Sequence, residues 1–279
     1  TLPRWKKLAR PLLFAVLLYV ALILAGCTAY RRLLFPAPGH PPPIPAGYGE
    51  LISTKTTDGV SAQGLYFPPP TADAPFIVFF HGNGETVSYN LWRSEDFRSL
   101  GFGVLLAEYR GYGTARASGS PTEVGLYDDA EALIAAVEAR GIDKTRIVLW
   151  GFSLGTGVAS EMAYRGHGCA MILEAPYTSI IDMADRIAPF LPTHAIVKDK
   201  FDTYAKAPSI KIPSLVIHGD RDRTVPFFMG EKVARALPNA LFHGVSGAGH
   251  MNLEDIDQVG IYVTATTLIN SACRGPAPK

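Results

Sequence analysis

Cysteine is scarce: three residues in 279, at positions 27, 169 and 273, with none in a C-x-x-C pair. That excludes a disulfide framework as the organising device and leaves too few thiolates for a metal cluster. Charge is sparse too, at 18%, and it is balanced, with 26 Lys plus Arg against 25 Asp plus Glu. Without a surplus of either sign there is no basic face to neutralise phosphates, so nucleic acid is not an expected partner. Low charge combined with 48% hydrophobic residues excludes disorder as the overall state. Internal repeats are absent, and the only biased tract is a short proline-rich one. What remains is a chain long enough to bury about three quarters of its unfolded surface in one domain.

The apolar excess is concentrated at one end. Arg4, Lys6, Lys7 and Arg10 precede an uncharged apolar run from Pro11 to Ala25, which is the pattern of a secretory signal. The run closes on Leu24-Ala25-Gly26-Cys27. This resembles the lipobox of bacterial lipoproteins, in which the cysteine thiol is lipidated and becomes the mature N-terminus. The alternative is an uncleaved anchor, because Pro11 to Tyr30 is about twenty residues and can span a bilayer. The lipoprotein, lipidated at Cys27, is the preferred reading. Under both, the basic residues stay cytoplasmic and the body is tethered on the extracytoplasmic, periplasmic side. Six prolines lie between Phe35 and Pro45 and favour extended polyproline backbone. Residues 1–26 therefore read as signal or anchor and residues 27–47 as a semi-rigid spacer.

The body, residues 48–272, alternates strand and helix patterns. Leu51–Thr57 and Val60–Phe67 flank Asp58-Gly59 as a hairpin. Phe76–Phe80, Val104–Tyr109, Arg146–Trp150, Ala170–Glu174 and Ser214–His218 are short apolar runs without alternation, as expected of parallel strands covered on both faces. Helical spacing marks 86–99, 122–140, 154–165, 227–236 and 252–270. The pattern predicts an α/β fold with a doubly wound, mostly parallel sheet and an antiparallel N-terminal hairpin. Residues 273–279 read as a tail.

Gly151-Phe152-Ser153-Leu154-Gly155 follows a strand directly and opens a helix, the context that a G-x-S-x-G nucleophile elbow requires. A serine hydroxyl is a poor nucleophile until a histidine takes its proton. In folds of this kind the chain order is serine, then acid, then histidine. Of the later histidines, His250 closes the glycine-rich stretch Ser246–Gly249 ahead of the last helix and is the candidate base. His218 ends a buried strand and is expected to satisfy local hydrogen bonds, while His167 and His194 lie on polar, turn-like stretches. The acid falls in Gly219-Asp220-Arg221-Asp222-Arg223-Thr224-Val225-Pro226. Asp222 is preferred there, and Asp220 is expected to cap the turn. Oxyanion stabilisation needs two backbone donors. The amide of Leu154 is one candidate, and that of Asn83 (alternatively Gly84) in His81-Gly82-Asn83-Gly84 is the other.

These segments together resemble a membrane-anchored branch of the α/β-hydrolase superfamily, one that includes bacterial hydrolases and eukaryotic protein depalmitoylases. The likeness also rests on Arg31–Pro36, Tyr109-Arg110-Gly111-Tyr112-Gly113, Gly119–Glu123 with Gly125-Leu126-Tyr127, Glu174–Ser179 and Lys200–Tyr204. It covers about 240 residues. It implies hydrolysis of carboxylic esters or acyl thioesters through an acyl-enzyme, with no metal and no organic cofactor. Two departures bear on substrate choice: Glu85 stands where a small or amide residue is usual, and Ala115-Arg116-Ala117-Ser118 lengthens a neighbouring loop. The interval of about 176–212 reads as a small cap. Tyr109 to Gly113 is expected to brace the sheet edge, and Cys169 to be a small core residue able to pair with Cys273 if the two are close. The competing functions are a peptidase of the same fold and a non-catalytic lipoprotein scaffold. The oligomeric state and the acyl and leaving groups are not encoded legibly.

Overall fold

The computed structural model describes residues 4–273, with side chains from residue 10 onward. Of the expected tail 273–279, all but Cys273 lies outside the described residues. The chain begins with a long helix, α1 (Arg4–Leu34), followed by an antiparallel hairpin of β1 (Glu50–Lys55) and β2 (Ser61–Phe67). Its turn uses Gly59 at φ +81°, a conformation that costs glycine nothing. From there strands and helices alternate: β3 (Phe76–Phe80), α2 (Leu91–Ser99), β4 (Gly103–Glu108), α3 (Glu123–Glu138), β5 (Ile147–Phe152) and α4 (Leu154–Tyr164). β6 (Ala170–Glu174) leads into three short helices, α5 (Ile180–Ile187), α6 (Thr193–Ile196) and α7 (Thr203–Lys206). The chain closes with β7 (Ser214–Gly219), α8 (Phe227–Ala236), β8 (Ala240–Val245) and α9 (Leu253–Ala272).

The eight strands form one sheet in the order β1-β2-β4-β3-β5-β6-β7-β8. β2 runs antiparallel to both β1 and β4, and every other pairing is parallel. The central strands β3 to β7 are buried along their whole length, because helices cover both faces. Leu126 and Leu133 of α3, Val158 and Met162 of α4 and Val233 of α8 pack on one face. Phe97 of α2 with Ile261 and Ile269 of α9 pack on the other. The expected alternation is present, with one addition. β8 has only three apolar residues in a row, Ala240 to Phe242, before a histidine and a glycine, and is half exposed, which is how an edge strand reads and why its sequence does not announce it.

Cys169, just before β6, is bonded to Cys273 at the end of α9, with Cα atoms 5.2 Å apart. The proline-rich segment lies along the body instead of standing off from it. Phe35 is buried and meets Phe201 edge-on at 6.2 Å, and the Arg116 guanidinium donates to the carbonyls of Pro38 and Gly39. Helix α1 continues past Cys27 to Leu34, so residues 27–34 are helical and not part of an extended spacer. Its Arg10–Leu34 portion is long and apolar enough to cross a membrane, with mean hydropathy 2.5 over an 18-residue stretch; a signal sequence passes the same test.

Candidate active site

Strand β5 delivers Ser153 to the sheet's C-terminal edge, and α4 begins at the next residue. Between them the backbone turns so sharply that Ser153 sits at φ +49°, a strained value for a side chain with a Cβ. The flanking glycines permit this. A Cβ on Gly155 would strike the Phe80 carbonyl oxygen, and one on Gly151 would strike the Gly155 carbonyl. The Ser153 N–H donates to the Glu174 carbonyl at 2.9 Å, so β6 fixes the turn. As the first residue of α4, Leu154 has an amide with no acceptor inside the helix, and the positive end of the helix dipole lies beside the serine.

The Ser153 Oγ is 3.0 Å from His250 Nε2, and His250 Nδ1 is 2.7 Å from Asp222 Oδ2. The carboxylate is completely buried. Its second oxygen accepts the backbone N–H groups of Thr224 and Val225, each at 2.8 Å. Burial alone would raise the Asp222 pKa, but hydrogen bonds from His218, His250 and the Val225 amide outweigh it. The group is held well below the ordinary carboxylate range. An ionised Asp222 accepts from Nδ1–H and leaves Nε2 free to accept from the serine hydroxyl. Proton transfer from Ser153 to His250 is therefore geometrically open, with a fixed negative charge behind the imidazole.

Asp220 does not cap its own turn, as expected from its place beside Gly219. Instead it accepts the Gly247 N–H at 2.7 Å and the Ser246 hydroxyl at 3.2 Å. The acid loop thus holds the loop that carries His250. His218 bonds locally, with Nε2 2.9 Å from the Val225 carbonyl, and it also reaches Asp222 at 3.3 Å. That second contact escapes sequence reasoning because the two residues meet only when the loop folds back on β7. His167 pairs with Glu131 at 2.6 Å, and His194 is exposed, 3.7 Å from Asp185.

The loop after β3 brings Asn83 into the cavity that holds Ser153 and Leu154. Gly84 follows at φ +75°, beside Pro36. Supports that the sequence did not reveal sit behind this loop. Tyr109 donates to the His81 carbonyl at 2.9 Å, Glu108 is 3.1 Å from His81 Nε2, and Tyr112 donates to the Asn83 side chain at 3.2 Å. The bracing role expected of Tyr109–Gly113 is thus directed at the loop. Glu85 points inward as well, accepting from the Gly82 N–H at 3.0 Å and the Asn90 amide at 3.2 Å. It caps the loop and is not among the cavity-lining residues.

The cavity measures about 390 Å³, within the range usual for small-molecule sites. Its walls are almost wholly apolar and come from the elbow, from α5 and α6 (Ile180, Met183, Ile196) and from the end of α1 (Tyr30, Leu33, Leu34). Among the described residues no cluster of His, Cys, Asp or Glu could hold a metal ion.

Residues 77–199 match the model of the alpha/beta hydrolase family. A putative alpha/beta hydrolase of Acanthamoeba polyphaga mimivirus is 31% identical over 77% of this chain and 85% of its own length. The chain belongs to the alpha/beta hydrolase family. An uncharacterised protein of Mycobacterium tuberculosis is likewise 31% identical, over 87% of this hydrolase and 89% of its own length. The lysophosphatidylserine lipase ABHD12 of Danio rerio is 32% identical over 57% of the chain, which spans only 46% of that longer protein. Among solved structures, the Pyrococcus furiosus esterase Pf2001 superposes with a TM-score of 0.67, covering 84% of this chain and 99% of its own at 19% identity. At that identity the likeness speaks for the fold alone.

Proposed function

We propose that this protein is a membrane-associated serine hydrolase that cleaves carboxylic esters or acyl thioesters. The observation that carries the reading is the unbroken hydrogen-bond chain from Asp222 through His250 to Ser153, opening on an apolar cavity. Ser153 Oγ attacks the carbonyl carbon while His250 Nε2 takes its proton; Asp222 remains ionised and stabilises the imidazolium. The amides of Leu154 and Asn83, with Gly84 as alternative, face the developing oxyanion. Collapse breaks the ester or thioester bond, and the departing alcohol or thiol takes the proton from His250. Water, deprotonated by the same histidine, then attacks the acyl-serine and releases a carboxylic acid. No metal or organic cofactor enters this sequence.

Other features favour the substrate class and location. An apolar cavity suits an acyl chain, and a relative named as a lysophosphatidylserine lipase points toward lipid esters. The Cys169–Cys273 disulfide suits an oxidising compartment, in keeping with a tethered, extracytoplasmic body. Labelling of the full chain by a fluorophosphonate tests the mechanism, with Ser153→Ala as control. Labelling is expected in the parent and absent in the variant, whose kcat falls by a factor on the order of 10⁴–10⁶. A folded parent that fails to label would discard catalysis in favour of a binding scaffold.

A further inference from the structure

Three sequence segments play no part in this chemistry: Arg31–Pro36, Thr122-Glu123 and Lys200–Tyr204. The fold gathers them around one buried carboxylate. Asp199 Oδ2 accepts from the Tyr30 hydroxyl at 2.6 Å and from Arg31 Nε at 2.8 Å, while Oδ1 accepts the Glu123 N–H at 2.9 Å. The Glu123 carboxylate in turn accepts the N–H groups of Lys200 and Phe201. The end of α1 is thereby pinned to the cap segment and to the start of α3.

This attachment continues up the helix. From residue 10 to residue 34 every side chain of α1 is exposed except Ile23, Gly26, Tyr30 and Leu34. Those four recur at helical spacing, so they form one stripe facing the body. At Gly26 a Cβ would lie 3.3 Å from Ile196 Cδ1, so the two helices meet where α1 has no side chain. Tyr19, on the same stripe seven residues earlier, donates to the Phe190 carbonyl at 3.0 Å. Cys27 is exposed. A leader discarded after export has no use for a surface matched to the mature domain.

Three residues of the stripe, Gly26, Tyr30 and Leu34, also line the cavity that holds Ser153, together with the neighbouring Leu33. Two lining residues are wide open to the outside: Leu33, 80% exposed, and Ile187, 78% exposed. Both are apolar, and Leu33 belongs to the exposed apolar surface of α1. We propose that α1 is retained in the working protein as one wall of the acyl-chain site. The chain of a membrane-resident ester enters between Leu33 and Ile187 from the bilayer that α1 occupies. Gly26 and Asp199 are then specificity-determining and positioning residues respectively, a conclusion that rests on the hydrolase reading above.

The test uses the full chain extracted in nonionic detergent, its intact mass, and 4-nitrophenyl esters from acetyl to hexadecanoyl. The mass is expected to include the residues ahead of Cys27. Gly26→Leu, which fills the α1–α6 contact, should lower kcat/KM for the hexadecanoyl ester by about tenfold or more and spare the acetyl ester. Asp199→Asn should give the same selective loss by loosening the wall without filling it. Leu22→Phe, on the exposed side of α1, should change neither. A mature chain starting at Cys27, or a chain-length profile unchanged by Gly26→Leu, would overturn the proposal while acetyl-ester turnover keeps the hydrolase reading intact. Absence of acetyl-ester turnover in the parent would remove both.

Discussion

At the scale of single residues, the site depends on what surrounds each group more than on the group itself. Asp222 is an ordinary carboxyl that burial would drive toward neutrality. Two backbone N–H groups and two imidazoles keep it charged. Asp222→Asn keeps the shape and removes the charge, so His250 loses its tautomer control. A drop in kcat of about 10⁴ is expected, with KM little changed, read from steady-state kinetics on a short-chain ester. A drop below tenfold would mean that another group orients the imidazole. Motif and chain order single out Ser153 and His250 in the sequence, and the fold brings their side chains within 3.0 Å. Asp220 could not be assigned correctly, since its partner Gly247 is 27 residues away and local turn rules see only neighbours.

At the scale of elements, one buried cluster ties the elbow to three others. Arg93 of α2 makes a bidentate pair with Glu174, the last residue of β6, at 3.1 and 2.8 Å. It also pairs with Glu254 of α9, while Trp150 of β5 donates to Glu174 at 2.6 Å. The Glu174 carbonyl is the acceptor for the Ser153 N–H. Two carboxylates therefore share one buried guanidinium, Glu174 wholly buried and Glu254 partly exposed. Burial pushes the Glu174 carboxyl up to about 8; the Arg93 charge works against this and the Glu254 charge adds to it. The ordinary glutamate value is about 4.3, so the folded state binds its proton more tightly than the unfolded one. The resulting stability is fully present at low pH and is lost as pH rises through about 8. Thermal melts from about pH 6 to pH 9 should show a declining midpoint that Glu174→Gln, which cannot ionise, flattens. Equal slopes in both proteins would place the proton elsewhere in the cluster.

At the scale of the whole molecule, the ends of the chain are fastened differently. The C-terminal helix is stapled by Cys169–Cys273, which closes a separation of 104 residues. A loop of that size contributes about 2–5 kcal/mol by restricting the unfolded chain. Reduction, or Cys273→Ser, should lower the melting midpoint by on the order of 10 °C, measured by calorimetry with and without reductant. A midpoint that ignores reductant would show that the bond contributes nothing to stability. Helix α1 has no such bond. It is held through Asp199, the Gly26–Ile196 contact and the Phe35 ring, and its other faces remain apolar and exposed.

The amino-acid sequence by itself determined the alternation of buried strands and amphipathic helices, and hence a mostly parallel α/β sheet. It also named the strand-to-helix serine, because those signals are local: period, turn residues and a five-residue motif. It left the edge strand β8 unmarked, since a half-exposed strand needs no apolar run. It treated α1 and the prolines after it as an address and a spacer, since a lipid-facing helix and a domain-facing one have nearly the same composition. Only the tertiary structure decided that Gly26, Tyr30 and Leu34 face the body, that Asp199 gathers three distant segments, and that Cys169 meets Cys273. Each of these is a contact between residues far apart in the chain, formed when separate elements pack, and no local pattern specifies the partner.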